Sequence, residues 1–300
     1  MRILLSGATG LVGQAWQQSA AHQGHEVLRL RHGQSDNPED ITWNPESGID
    51  APERLEGLDA VIHLAGENIA DGRWTAAKKK RIRDSRVQGT QLLAATLAER
   101  AQPPGILICA SGINYYGSQG DQELNEDAAP GEDFLARVCR DWESACQPLY
   151  KCGTRIVNLR IAMVLSAEGG ALKKMLLPFK LGLGGPIGDG SMYMSWITLE
   201  DLVRAINFCL NSTDISGPVN AASPNPVSNR EFTKALSKAL KRPAFLPAPR
   251  PMLKLVLGEM AEALLMPSIR AVPEKLLSAG FAFRHPRLDD ALHTLLHRTK

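Results

Sequence analysis

The residues that most constrain this chain stand at its start. An apolar run, Ile3-Leu-Leu5, leads into Gly7-Ala-Thr-Gly10-Leu-Val-Gly13, and a helical pattern follows over Gln14–Gln23. A strand that turns through glycines at this spacing straight into a helix has few uses. The first glycine allows the tight turn, the second lets a pyrophosphate approach the backbone, and the third lets helix and strand pack closely. The helix N-terminus offers free N–H groups and a positive dipole end to the anion. Gly7, Thr9, Gly10, Leu11, Val12 and Gly13 are therefore the expected cofactor-binding loop. The strand before it and the helix after it separate it from an ordinary glycine-rich turn.

The pattern beyond the loop agrees. Glu26–Leu30, Asp59–Leu64, Ile106–Cys109 and Arg155–Leu159 read as strands, mostly apolar on both faces. Ala76–Glu99 and Phe134–Tyr150 read as helices between them. Alternating strand and helix with buried strands predicts an α/β fold, a doubly wound Rossmann sheet that is parallel and covered on both sides. At 300 residues the chain is long enough for two domains. We expect a dinucleotide-binding domain over residues 1–165 and a smaller C-terminal substrate lobe over 166–300, partly packed back on the sheet. The second part carries a glycine-rich loop at Gly182–Gly190, helical stretches at Leu199–Leu210 and Glu231–Leu240, and an amphipathic, helical last fifty residues.

Composition narrows the function. A net charge of +2 gives no footprint for nucleic acid. Five cysteines without a CxxC pair, and seven scattered histidines, argue against a disulfide framework or a metal site. A reducing cytoplasmic setting fits. No signal peptide follows Met1, and no apolar run reaches membrane-helix length. The expected partner is a small molecule, with no nucleic acid and no membrane; the oligomeric state is not legible.

The end of the second strand selects the nucleotide. An acid there suits a free ribose 2′-hydroxyl, and a base suits a 2′-phosphate. The chain has Arg29-Leu-Arg31-His32-Gly33, with no acid before Asp36. NADP(H) is favoured over NAD(H), with Arg31 and His32 as the expected contacts. The alternative is that Arg29 and Arg31 merely form a solvated strand face.

The glycine loop, Asp59-Ala-Val-Ile-His-Leu-Ala-Gly66, Tyr116-Gly117, Leu159-Arg160 and Trp196-Ile-Thr-Leu-Glu-Asp201 together resemble the extended short-chain dehydrogenase/reductase superfamily. Leu64-Ala-Gly-Glu-Asn68, Arg73-Trp74, Ser85-Arg86, Trp142-Glu143 and Leu177–Gly188 look like its atypical "epimerase family protein" branch, over essentially the whole chain. The resemblance implies an NADP(H)-binding oxidoreductase or epimerase acting on a carbonyl or sugar-like substrate, with Leu64 and Ala65 along the cofactor. It also exposes a departure. The superfamily's Tyr and Lys positions hold Leu135 and Cys139 here, its Asn position holds Arg86, and its hydroxyl position holds Gly112 with Ser111 beside it. Ser111 and Tyr116 are the remaining catalytic candidates, each with a packing or turn role as the alternative. Arg86 and Arg160 are expected as cofactor-binding residues that face the cleft, holding the cofactor's negative charge or a substrate carboxylate and so taking over part of the missing lysine's role, against a surface helix arginine and a strand-end salt bridge. Asn68 could orient a carbonyl or simply cap its loop, and Met192 and Met194 could line a pocket or pack. Trp74, Trp142, Phe179 and Trp196 read as packing residues, and Phe179–Trp196 as the roof of the cleft. A non-catalytic NADP(H)-binding sensor or structural protein is the rival reading.

Overall fold

The computed structural model describes residues 1–297. The first half runs β1 (Arg2–Ser6), α1 (Leu11–His22), β2 (Glu26–His32), β3 (Ile41–Asn44), β4 (Gly48–Ile49), β5 (Ala60–His63), α2 (Ala76–Ala98), β6 (Ile106–Gly112), β7 (Glu123–Leu124), α3 (Phe134–Ser144), α4 (Gln147–Tyr150) and β8 (Arg155–Ile161). The second half runs β9 (Met163–Leu165), α5 (Gly170–Lys180), β10 (Tyr193–Met194), β11 (Trp196–Thr198), α6 (Leu199–Asn211), β12 (Gly217–Ala221), β13 (Val227–Ser228), α7 (Asn229–Leu240), α8 (Arg250–Leu257), α9 (Glu259–Leu264), β14 (Arg270–Ala271), α10 (Glu274–Ser278) and α11 (Leu288–His297).

Eight strands form one sheet in the order β12-β8-β6-β5-β1-β2-β3-β4. Every pairing is parallel except β3 with β4. The order reverses at β1, which puts a crevice above the carboxyl ends of β1 and β5, where open α/β sheets bind ligands. Trp16 and Ala20 of α1 and Ile206 and Leu210 of α6 bury one face of the sheet. Leu93 and Leu97 of α2, Trp142 of α3 and Leu149 of α4 bury the other. Leu4, Val61 and Leu107 face the second layer, and Ile3, Ile62 and Ile108 the first, which is why these strands are apolar throughout.

Three departures from the sequence reading have local causes. The helix expected over Phe134–Tyr150 is two helices, with the N–H of Ala145 and Cys146 bonding back three residues in a tightened turn. The short pair β3–β4 was not anticipated; Trp43 anchors it, 3% exposed. Helix α5, which runs from Gly170 through Pro178 to Lys180, has no counterpart in the sequence reading. Part of the chain beyond residue 165 packs back on the sheet: α6 packs on α1 and β12 pairs with β8. What remains of the second lobe has its own core of Leu172, Phe179, Trp196, Phe232, Leu236 and Leu292.

Candidate functional site

The glycine loop is a cradle fixed by backbone contact. Gly7 has φ +71°, and a Cβ there would stand 2.7 Å from the Leu64 carbonyl carbon and 2.9 Å from the Ala65 nitrogen. A Cβ on Gly13 would collide with the Gly7 carbonyl oxygen. At Gly10 a Cβ would meet only the Gly7 oxygen, at 3.3 Å, and otherwise open space. Side chains cap α2 (Thr75), α3 (Asp133), α6 (Thr198) and α7 (Ser228), but Gly10 caps α1 with none. Among the described residues the amides of Leu11, Val12 and Gly13 therefore have no protein acceptor, and no acid stands in the first turn. Thr9 and Gly10 are exposed, and Leu11 and Val12 half-buried. These amides and the open space above Gly10 form a cradle with the chemistry to take an anion.

Behind the cradle lies a buried pair that sequence reading missed. The Ser6 hydroxyl accepts from the N–H of Leu64 (3.2 Å) and Ala65 (3.3 Å). Its own proton goes to His63 Nδ1 at 2.6 Å. Burial lowers the His63 pKa to about 4, so the ring is neutral. The pair ties the end of β1 to the loop that leaves β5. Leu64 and Ala65 are half-buried at the crevice, as a backbone contact with a ligand requires.

At the end of β2, one residue corrects the sequence reading. Asp40, four residues beyond the acid considered there, folds beneath the arginines and lies 2.6 Å from Arg29 Nε. Burial opposes its charge, but hydrogen bonds from Ser35 and Arg29 hold its carboxyl below the usual range. Arg29 is therefore a structural partner. Arg31 is 3.9 Å from the same carboxylate, and His32 is exposed. Arg31 and His32 remain accessible at this strand end, and the acid that contacts both arginines, Asp40, is buried and already paired.

Two other expected residues are withdrawn from the crevice. Arg160 is 2% exposed. Its Nε and Nη2 each donate to Glu143 at 2.9 Å, and Nη1 donates to the Tyr116 hydroxyl (3.0 Å) and the Glu126 carbonyl (3.1 Å). Burial pushes this guanidinium down, but the Glu143 carboxylate more than reverses it and the pKa is raised. The strand-end salt bridge is thus what Arg160 forms, and four of its five N–H donors are spent inside the protein. Tyr116 is completely buried and donates to Asn220 Oδ1 at 2.7 Å. Burial pushes its phenol up to about 12, against Arg160. A phenol sealed in this network cannot exchange protons with a ligand, so Tyr116 is removed as a catalytic candidate. Tyr115 stacks on the Arg160 guanidinium, 3.4 Å away.

Ser111 ends β6, is 5% exposed and donates to Glu143 Oε1 at 2.7 Å. Its oxygen keeps lone pairs, so it remains a polar contact at the crevice floor. Cys139 is buried beside it, its thiol pushed up to about 11 by burial and by Glu143. Leu135 packs with Trp74 and Ile82. The positions of the missing Lys and Tyr thus hold a protonated thiol and a core side chain. Asn68 caps its own loop through Asp71 and the Ala70 N–H. Trp74, Trp142, Phe179 and Trp196 are buried, as their packing role requires, and so is Met192.

Arg86 is the residue the structure leaves open. It is half-buried on α2, with the Trp142 ring 5.1 Å from its guanidinium carbon. A Cβ on Gly66, just beyond β5, would lie 3.2 Å from that carbon. Nη1 donates to the Ile82 carbonyl at 3.0 Å. Among the described residues Nε and Nη2 have no protein acceptor, and neither is sealed from solvent.

The expected roof is differently built. The glycine-rich loop spends its glycines on the segment before α8. A Cβ on Gly185 would strike the Leu246 carbonyl, and the backbones bond from Leu246 to Gly184, Ala248 to Pro186 and Gly188 to Ala248. The wall next to the cradle is α5: Gly169, its cap, lies against Leu11, and Lys174 reaches the Ala70 carbonyl at 3.0 Å. Among the described residues no cluster of His, Cys, Asp and Glu could hold a metal. No described helix is long and apolar enough to cross a membrane.

Doubly wound sheet, switch-point crevice and uncapped glycine cradle define a Rossmann protein of the extended short-chain dehydrogenase/reductase class, atypical at the positions of the usual catalytic residues. The chain belongs to the NAD dependent epimerase/dehydratase family, which residues 3–222 match; residues 248–295 match a domain of unknown function, DUF1731. It is 41% identical over 290 residues to an epimerase family protein of Mycobacterium bovis, covering 97% of this chain and 96% of that one. The human epimerase family protein SDR39U1 (isoform 2), crystallised with NADPH, superposes with a TM-score of 0.90 at 33% identity, covering all of both chains. A nucleoside-diphosphate sugar epimerase of Corynebacterium glutamicum gives 0.82 at 33% identity, covering all of this chain and 59% of that one.

Proposed function

We propose that this protein binds NADP(H) along the carboxyl edge of its sheet and acts as an oxidoreductase or epimerase on a carbonyl or sugar-like substrate. The observation that carries this reading is the uncapped cradle at Gly10–Gly13, with Arg31 and His32 at the neighbouring strand end and the nearby acid already paired. The α1 amides of Leu11, Val12 and Gly13 would hold the pyrophosphate, Arg31 and His32 the 2′-phosphate, and the backbone of Leu64 and Ala65 the nucleotide's middle. The human relative crystallised with NADPH supports the same assignment. A bound nicotinamide supplies hydride chemistry. Ser111 would orient the substrate oxygen, and Arg86 supplies positive charge on the same side of the crevice.

The test is a fluorescence titration with NADPH and NADH, followed by a panel of carbonyl compounds and nucleotide sugars scored for NADPH oxidation. Tighter binding of NADPH with turnover of any panel member supports the proposal. A second reading, a cofactor-binding sensor without catalysis, is favoured by Leu135, Cys139 and the sealed Tyr116. It predicts tight NADPH binding with no turnover across the panel.

A further inference from the structure

Helix α2 opens with six basic residues, and the structure pairs five of them. Lys78 meets Glu67 at 2.7 Å, and Arg81 lies 3.6 Å from the same carboxylate. Lys79 meets Glu259 at 2.9 Å, Lys80 meets Asp84 at 2.5 Å and Arg83 meets Asp141 at 3.1 Å. Among the described residues Arg86 has no carboxylate partner, although it is the innermost of the six along the helix. The acids around it are committed elsewhere: Glu67 to Lys78 and Glu143 to Arg160.

A half-buried guanidinium without a counter-ion is unfavourable. Its unused edge is specific as well. With Nη1 held by the Ile82 carbonyl, Nε and Nη2 remain, and these two parallel N–H groups form the fork that takes a carboxylate side-on. Trp142 on one side and Gly66 on the other fix the plane of that fork. Gly66 follows β5 and Cys139 of α3 is also a neighbour of Arg86; β5 and β6 stand on the far side of β1 from β2, so Arg86 belongs to the half of the crevice away from the proposed 2′-phosphate contacts. One guanidinium with no second free cation beside it balances a single negative charge, which fits a carboxylate better than a phosphate dianion.

We infer that Arg86 is a specificity residue that binds the carboxylate of the substrate, so that the substrate class is carbonyl compounds bearing a carboxylic acid. This rests on the NADP(H) reading for where the carbonyl would lie, but the carboxylate fork itself does not depend on it.

The experiment uses the full chain saturated with NADP⁺, titrated calorimetrically with 2-oxobutanoate, 4-oxopentanoate, their methyl esters and inorganic phosphate. At least one acid is expected to bind about 30-fold more tightly than its ester, a difference of about 2 kcal/mol. Arg86→Gln should abolish that preference, and Arg86→Lys should keep part of it, with NADPH affinity within about threefold of wild type in both. The acid–ester comparison in the unmodified protein decides the matter even if a variant fails to fold. Equal binding of acid and ester overturns the proposal, as does an unchanged preference in Arg86→Gln. A parallel fall in NADPH affinity would assign the guanidinium to the cofactor, and tighter binding of phosphate at the same residue would assign a phosphorylated substrate; either overturns it. If the wild type binds no NADPH, the functional proposal fails by itself, and the same titration of the cofactor-free protein still tests the fork.

Discussion

Gly7 and Gly10 lie three residues apart in one loop, yet the structure assigns their glycines to different tasks. Gly7→Ala forces an L side chain to φ +71° and sets a methyl group 2.7–2.9 Å from the Leu64–Ala65 backbone. The left-handed conformation costs about 1–2 kcal/mol and the overlap about 1–3 kcal/mol more, so a loss of roughly 2–5 kcal/mol is expected. For a chain of 300 residues the unfolding entropy is near 0.6 kcal/mol per degree, which turns this into a fall in Tm of about 3–8 °C. Gly10→Ala keeps an ordinary backbone, φ −75° and ψ 165°, and meets one oxygen at 3.3 Å. A weaker helix cap and a stiffer unfolded chain nearly cancel, leaving stability within about 0.5 kcal/mol. Its methyl group, however, fills the space a pyrophosphate needs, and NADPH affinity should fall at least tenfold, or about 1.4 kcal/mol. Differential scanning calorimetry and NADPH fluorescence titration of the two variants separate the roles. Wild-type NADPH binding by Gly10→Ala, or a wild-type Tm for Gly7→Ala, would refute the reasoning.

Arg31→Ala should shrink a preference of NADPH over NADH of about 10- to 100-fold, the contribution of a charged hydrogen bond, towards equality; unchanged discrimination would transfer the 2′-phosphate to His32. Tyr116→Phe removes the bonds to Asn220 and Arg160 and should cost about 1–3 kcal/mol in urea denaturation while leaving NADPH affinity within twofold; loss of turnover at unchanged stability would restore the phenol to the active site. His63 has its pKa lowered from 6.5 to about 4 in the folded protein, so protonation opposes folding. Its contribution is complete above pH 6.5 and is lost as the pH falls towards 4, amounting to about 3 kcal/mol. Urea denaturation at several pH values should show that loss in the wild type and a flatter profile in His63→Asn; parallel profiles would exclude the histidine as its source.

Much of the fold was legible in the sequence because it rests on local rules. The glycine spacing after an apolar strand demands a strand–turn–helix, whatever surrounds it. Doubly apolar strands demand cover on both faces, and their alternation with helices demands a parallel sheet. The Leu135 and Cys139 substitutions, and with them the loss of the usual proton chemistry, could also be read directly. Elements that depend on distant partners were not legible. Strand β3 is held by Trp43 against α2, and α5 by a core shared with α7 and α11, neither of which marks its own segment.

The site divides in the same way. Sequence by itself determined the cradle, since a glycine's freedom belongs to its own backbone, and it determined the charge at the end of β2. It listed Arg29, Arg31, Arg86 and Arg160 alike as cations, because a guanidinium has the same chemistry wherever it stands. Only the tertiary structure decided what each can do. It brought Asp40 under Arg29 and closed Glu143, Tyr116 and Glu126 around Arg160, while leaving the Nε–Nη2 edge of Arg86 without an acceptor. An arginine's function is set by which of its donors remain unpaired, and that depends on carboxylates and carbonyls that the fold brings in from elsewhere in the chain.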